Sequence, residues 1–190
     1  MRRGFIAAAL AFLSACAGGP EVADWQLNAS SAMRAFQQDY LVGDTAAAER
    51  DFLEVQRNLK RTGREDLLAR AELARCAVRA ASLEFDDCPG FEALRAGAAA
   101  EDAAYAEYLR GKGAHKASDE ALSRLVAAGV SFRKSIIKPE EMAAAVDIAS
   151  AQGWRRPLLA WLGAQAKRAE SAGDGETAAR LRRRMDLISK

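Results

Sequence analysis

The sequence predicts an all-α domain built of antiparallel helical hairpins. Three observations lead there. The chain holds 44 Ala but only 15 β-branched residues (Val, Ile and Thr together). Ala is the best helix former, whereas strands favour β-branched side chains. Apolar residues recur with the period of a helix, and Gly, Asp and Pro fall where such helices would stop and start.

The helices follow in order. Ala29, Met33, Phe36 and Tyr40 form one apolar face, and Ala48, Phe52, Val55 and Leu59 form a second. Gly43-Asp44 between them reads as a C-terminal Gly followed by an N-cap Asp. Thr62-Gly63-Arg64-Glu65 has the spacing of a capping box and predicts a third helix from about residue 63. That helix carries Leu67, Leu68, Ala71, Leu73, Ala74, Ala77, Val78 and Ala81 around most of its circumference, which predicts a central position. Arg64, Arg70, Arg75 and Arg79 fall on its polar strip or ends. Pro139 and Pro157 suit first turns, and Gly153 and Gly173 suit helix stops. Leu158, Trp161 or Leu162, Gln165 and Ala169 make the next stripe, and Ala178, Leu181, Met185 and Ile188 make the cleanest. The expected helices are 29–42, 44–60, 63–84, 99–111, 118–128, 139–152, 155–172 and 175–188, with 85–98 and 111–117 as the main loops.

The N-terminus reads differently. Met1-Arg2-Arg3 is a short basic start, and Gly4 to Phe12 is an uncharged run of nine residues. A bilayer span needs about 20 apolar residues, so a signal peptide is the better reading. Leu13-Ser14-Ala15-Cys16 then resembles the lipobox of bacterial lipoproteins. The resemblance implies cleavage before Cys16, a diacylglyceryl group on its sulfur and, in many species, acylation of the new amine. Two or three acyl chains would hold the protein on a membrane. Residue 17 is Ala; in the Gram-negative family Asp there marks inner-membrane retention. The resemblance therefore implies the outer membrane, periplasmic face. The expected organisation is 1–15 signal peptide, 16–28 lipidated N-terminus and tether, and 29–190 a single helical domain.

Charge argues against nucleic acid. The chain has 28 basic and 26 acidic side chains; without Arg2 and Arg3 the balance is 26 to 26. The distribution is uneven. Glu84 to Glu107 holds seven acids against Arg95 alone, and Arg155 to Lys190 holds nine bases against four acids. These are either two solvated faces or a bipolar surface that orients a partner.

Helix starts near 29 and 63 lie about 34 residues apart, the tetratricopeptide period. With Gly43 in the turn, Ala48 after it and Phe52 four residues on, the first pair resembles such a repeat. Phe36 stands where the repeat favours a small residue. The last pair has the same outline, with Gly173-Asp174 and Ala178, but Arg182 replaces the aromatic. The middle of the chain does not keep the period. A short tetratricopeptide-like solenoid and a plain helical bundle are both open.

Cys16 apart, Cys76 and Cys88 form an even pair, and an oxidising compartment favours their disulfide. Closing that ring would contribute about 3 kcal/mol. Two free thiols or a redox pair are the alternatives, although the spacing is not Cys-x-x-Cys.

No catalytic constellation emerges. His115 is the sole His, too few for a zinc hydrolase site, and no Gly-x-Ser-x-Gly elbow exists. Gly111-Lys112-Gly113 lacks the rest of a phosphate loop. The acidic stretch supplies carboxylates for glycosidase work, but nothing picks out two. Arg180, Arg182, Arg183 and Arg184 read as a solvated face. Trp154-Arg155-Arg156 reads either as a hydrophobic staple at a helix start or as an aromatic–arginine contact for a partner. The surface around Trp154 and the concave side of the first hairpin are the candidate contact sites.

The expectation is a non-enzymatic outer-membrane lipoprotein that binds an envelope protein as an adaptor or assembly factor. It would carry no cofactor or metal, only the covalent lipid on Cys16. The alternative is a cell-wall-modifying enzyme or peptidoglycan-binding accessory. A carrier of an apolar ligand between helices ranks third and would need a dry cavity.

Overall fold

Helix α3 (Glu65–Ala81) is the axis of the structure. The computed structural model describes residues 23–189. The other helices are α1 (Asp24–Val42), α2 (Thr45–Lys60), the single turn α4 (Pro89–Glu92), α5 (Ala100–Leu109), α6 (Ala121–Arg133), α7 (Pro139–Ala151), α8 (Arg155–Ser171) and α9 (Gly175–Ser189). A 3-10 turn covers Arg95–Gly97, and the described residues include no strand. None of these helices is long and apolar enough to cross a membrane. Consecutive helices pack as adjacent pairs, α1 on α2, α6 on α7, α7 on α8 and α8 on α9. Helix α3 also touches α1, α5 and α6, and α1 returns to α8. In a stack of repeats each unit touches only its neighbours. Contacts of α1 with α8 make this a bundle closed on itself.

Local chemistry explains the first hairpin. Gly43 ends α1 at φ +95°, a left-handed backbone that Gly adopts without Cβ strain. Its N–H donates to the carbonyls of Asp39 and Tyr40, and the N–H of Asp44 to that of Asp39. Asp44 then caps α2, its Oδ1 accepting from the Ala47 N–H at 2.9 Å. Helix α1 starts at Asp24, five residues before the expected position, because Trp25 continues the stripe one turn upstream of Ala29 and packs on the cluster of Ala29, Val55, Leu59 and Ala71.

The expected capping box at Thr62 does not form. Helix α3 begins at Glu65 with Arg64 as N-cap and no side-chain cap. The Thr62 hydroxyl instead donates to the Leu59 carbonyl at 2.6 Å and accepts from the Arg64 N–H at 3.1 Å. It therefore closes the end of α2 rather than the start of α3. Helix α6 starts three residues later than expected and runs on to Arg133, five residues beyond the expected stop at 128.

The centre of α3 is buried as its composition predicts, with Ala69, Leu73, Val78 and Ala81 each at most 2% exposed. The main core joins α3 to α5, α6, α7 and α8 and contains Phe91, Leu125, Trp161 and Leu162. Trp161 is fully buried, and its indole N–H donates to the Ala81 carbonyl at 3.1 Å, tying α8 to the end of α3. A second cluster, Phe36, Tyr40, Leu41, Ala48, Phe52 and Val78, fills the first hairpin. The third cluster, at the start of α1, is thin. Four small or aliphatic residues are buried there, and Trp25, Met33, Leu67 and Leu68 around them are half-buried.

Candidate functional site

Two open features adjoin α1. The larger is a groove of about 540 Å³ between the first half of α1, the end of α2 and the start of α3. Trp25, Leu27, Met33, Leu59 and Leu67 form its apolar walls and Ala71 its floor. It exists because the third cluster is thin. Leu27 is left 54% exposed. Among the described residues, the charged side chains in the lining are Arg64 and Arg70, and both have carboxylate partners. Arg64 forms an ion pair with Asp66, and Arg70 reaches Glu101 at 3.0 Å and Asp102 at 3.2 Å.

The smaller feature is a cleft of about 310 Å³ between the second half of α1, the start of α6 and Trp154. Leu41, Leu122 and Trp154 form its apolar part, and Arg34, Gln37, Gln38 and Glu120 its rim. Trp154 is the N-cap residue of α8 and packs on the second cluster.

The three residues Trp154, Arg155 and Arg156 separate in space. Trp154 is half-buried and walls the cleft. Arg155 is exposed and lies over Gly43, where an added Cβ would sit 3.1 Å from its guanidinium. Arg156 turns inward. Its Nε donates to the Tyr40 carbonyl at 2.7 Å, one terminal nitrogen donates to Thr45 Oγ1 at 2.6 Å, and the other lies 3.4 Å from Glu84. Its guanidinium also covers the Tyr40 ring at 4.3 Å. It holds α8 against the α1–α2 turn.

The acidic stretch is paired, mostly by arginines from nearby helices. Glu92 meets Arg95 and Arg110, Glu107 meets Arg95, Arg110 and Lys112, Asp86 meets Arg79 and Asp87 meets Arg133. The Arg95 hydrogen bond, with Arg110 behind it, holds the Glu92 carboxyl below its ordinary range. Among the described residues of the basic C-terminal segment, Arg156 reaches this stretch, through Glu84.

Cys76 and Cys88 form a disulfide with Cα atoms 5.8 Å apart. It fastens the 82–88 loop along α3. Asp86 sits beside it, accepting from the Cys88 N–H at 2.9 Å and from Arg79 at 2.6 Å. Cys76, Asp86 and Cys88 are a converging group with metal-ligand chemistry among the described residues. Sulfurs bonded to each other are not thiolate ligands, however, and Asp86 is committed to Arg79.

His115 is exposed in the loop after α5, its ring 4.7 Å from that of Tyr105 and 5.2 Å from that of Tyr108. Burial, and then the neighbouring Tyr108, push the Tyr105 hydroxyl up to about 12. These ring contacts hold the loop after α5 against that helix.

Cys16 and the lipobox lie outside the described residues. Sequence reasoning missed Trp25 and Leu27 as groove residues because it placed residues 16–28 in the tether; the spacing of Trp25 and Ala29, four apart, was the signal. Comparisons with models of protein families, with curated proteins and with solved structures found no match.

Proposed function

We propose that this chain is a lipid-anchored, outer-membrane adaptor whose helical domain docks a partner protein in the periplasm at the Trp154 cleft. The observation that carries this is the makeup of the cleft. An aromatic and two leucines sit at its centre, ringed by two amides, an arginine and a glutamate. Protein interfaces have this anatomy, with an apolar centre holding an aromatic anchor and a polar rim. The lipobox supplies the anchor, Cys16, and the absence of Asp at position 17 supplies the outer-membrane assignment. Arg34 is the arginine on the rim of the cleft; Arg155, next to Trp154 in the chain, is exposed over Gly43, and Arg156 serves the fold.

A photoreactive amino acid at Gln38 or Leu122 in growing cells tests the reading. Crosslinking to one defined envelope protein is expected, lost on Trp154→Ala or Leu122→Arg and weakened by Cys16→Ser. Crosslinks scattered over many proteins, or insensitive to Leu122→Arg, would remove the cleft as the docking site.

A further inference from the structure

The groove at the start of α1 has a property the cleft lacks: its walls offer almost nothing to a polar ligand. Ser30 spends its hydroxyl on the Leu27 carbonyl of its own helix at 3.0 Å, and both lining arginines are paired with their own carboxylates. Among the described residues of the lining, Gln26 is the polar side chain left over. Such a surface suits a hydrocarbon chain rather than an ion or a hydrogen-bonding peptide.

The chain's own lipid is attached close by. Cys16 lies seven residues before Ala23, and seven Cα–Cα steps cover at most about 25 Å. Trp25, two residues further on, already forms part of the groove wall. An acyl chain on Cys16 is thus leashed to the groove mouth, and a leash this short gives it a millimolar-scale effective concentration there.

We propose that the groove between α1, α2 and α3 seats one acyl chain borne by Cys16 whenever that chain is not in a bilayer. The proposal rests on the lipoprotein reading. It gives the domain a way to cover part of its own anchor in water, with Trp25, Leu27, Leu59 and Leu67 against the hydrocarbon.

The test uses bromopalmitate, whose bromine quenches a tryptophan it touches. Full-length Cys16→Ser protein, free of lipid, is expected to bind the probe with partial quenching that disappears in Trp25→Phe, since Trp154 and Trp161 lie outside the groove. Leu67→Glu places a carboxylate in the groove and is expected to weaken binding by about tenfold or more. Ala71→Leu, which narrows the floor without adding charge, is expected to weaken it too, so the result does not hang on one variant's folding. The natural lipidated protein, held in detergent-free buffer, is expected to take the probe about tenfold less well, because its own chain occupies the seat. No Trp25-dependent quenching in Cys16→Ser would overturn the proposal. So would equal binding by the lipidated protein, which would mean the groove takes free lipid and not its own. Concentration-dependent dimers that bury Trp25, or a partner helix crosslinked at Leu67, would overturn it as well. The mass of the mature N-terminus reports separately on the anchor: an unmodified Cys16 would sink the lipoprotein reading itself, whatever the groove binds.

Discussion

Arg156 and Tyr40 stand 116 residues apart in sequence, yet the arginine donates to the tyrosine's backbone carbonyl at 2.7 Å and covers its ring at 4.3 Å. This contact closes the bundle, because it joins the end of α1 to the start of α8. A hydrogen bond from a charged donor contributes about 1.5–3 kcal/mol, and the cation–π contact adds about 0.5–2 kcal/mol. Arg156→Ala is therefore expected to lower unfolding free energy by roughly 2–5 kcal/mol. Neighbouring Arg155→Ala, at an exposed position, should stay within about 0.5 kcal/mol. Urea midpoints at unchanged slope measure both. Equal effects of the two variants would refute the assignment.

Gly129 sits inside α6, where a Cβ would lie 2.2 Å from the Ala80 carbonyl of α3. In an open helix, Gly→Ala gains about 1 kcal/mol. Here the two backbones would have to part, and overpacking costs about 1–3 kcal/mol. Gly129→Ala is expected to destabilise on balance. Gly163 in α8 is the control, since its added methyl would meet only the flexible end of Met185 at 3.6 Å. Gly163→Ala should be neutral or stabilising in thermal melts; the same sign at both sites would show that the close approach of α6 to α3 is not limiting.

Gly129 also shows where the sequence was legible and where it was not. Period and composition placed the hairpin α1–α2 and the pair α8–α9, because each carries apolar stripes with Gly and Asp at the turn, and the central α3, because it is apolar nearly all round. The expected helix ended at 128, one residue short of Gly129, whose place inside α6 is explained by the approach of the Ala80 carbonyl. Thr62 failed for the opposite reason. One hydroxyl could serve the helix behind it or the helix ahead, and spacing does not choose between them. The inward turn of Arg156 was hidden too, because its partners Tyr40, Thr45 and Glu84 are distant in sequence. Trp154 was legible as a helix-start aromatic. The cleft it walls with Leu41 and Leu122 requires three helices to be placed first.

The Cys76–Cys88 disulfide closes a short ring at the end of the axis helix. Cross-linking over 12 residues restricts the unfolded chain by about 3 kcal/mol in the chain-entropy model. Cys76→Ser/Cys88→Ser and reduction of the parent should therefore lower stability by similar amounts. The two losses are read from urea midpoints with and without reductant. If reductant destabilised the double variant as much as the parent, the bond would not be the cause.

All three tyrosines, Tyr40, Tyr105 and Tyr108, titrate above their ordinary value, and in each case burial is the first cause. For Tyr40, the Glu84 carboxylate beside its buried hydroxyl adds to it. The protonated phenol is the form the fold tolerates. Below about pH 10, folded and unfolded chains are both protonated, so this contribution does not vary with pH. Above it, the unfolded chain releases protons that the folded chain retains, and stability falls as pH rises toward the folded value near 12 of Tyr105. Phenolate absorbance of the native protein is thus expected to show no step at pH 10. It should rise instead at higher pH, together with the loss of helical circular dichroism. Tyr105→Phe should remove part of the alkaline destabilisation, about 2 kcal/mol between pH 10 and 12. A tyrosine ionising near pH 10 with the helices intact would show that at least one of these hydroxyls reaches water.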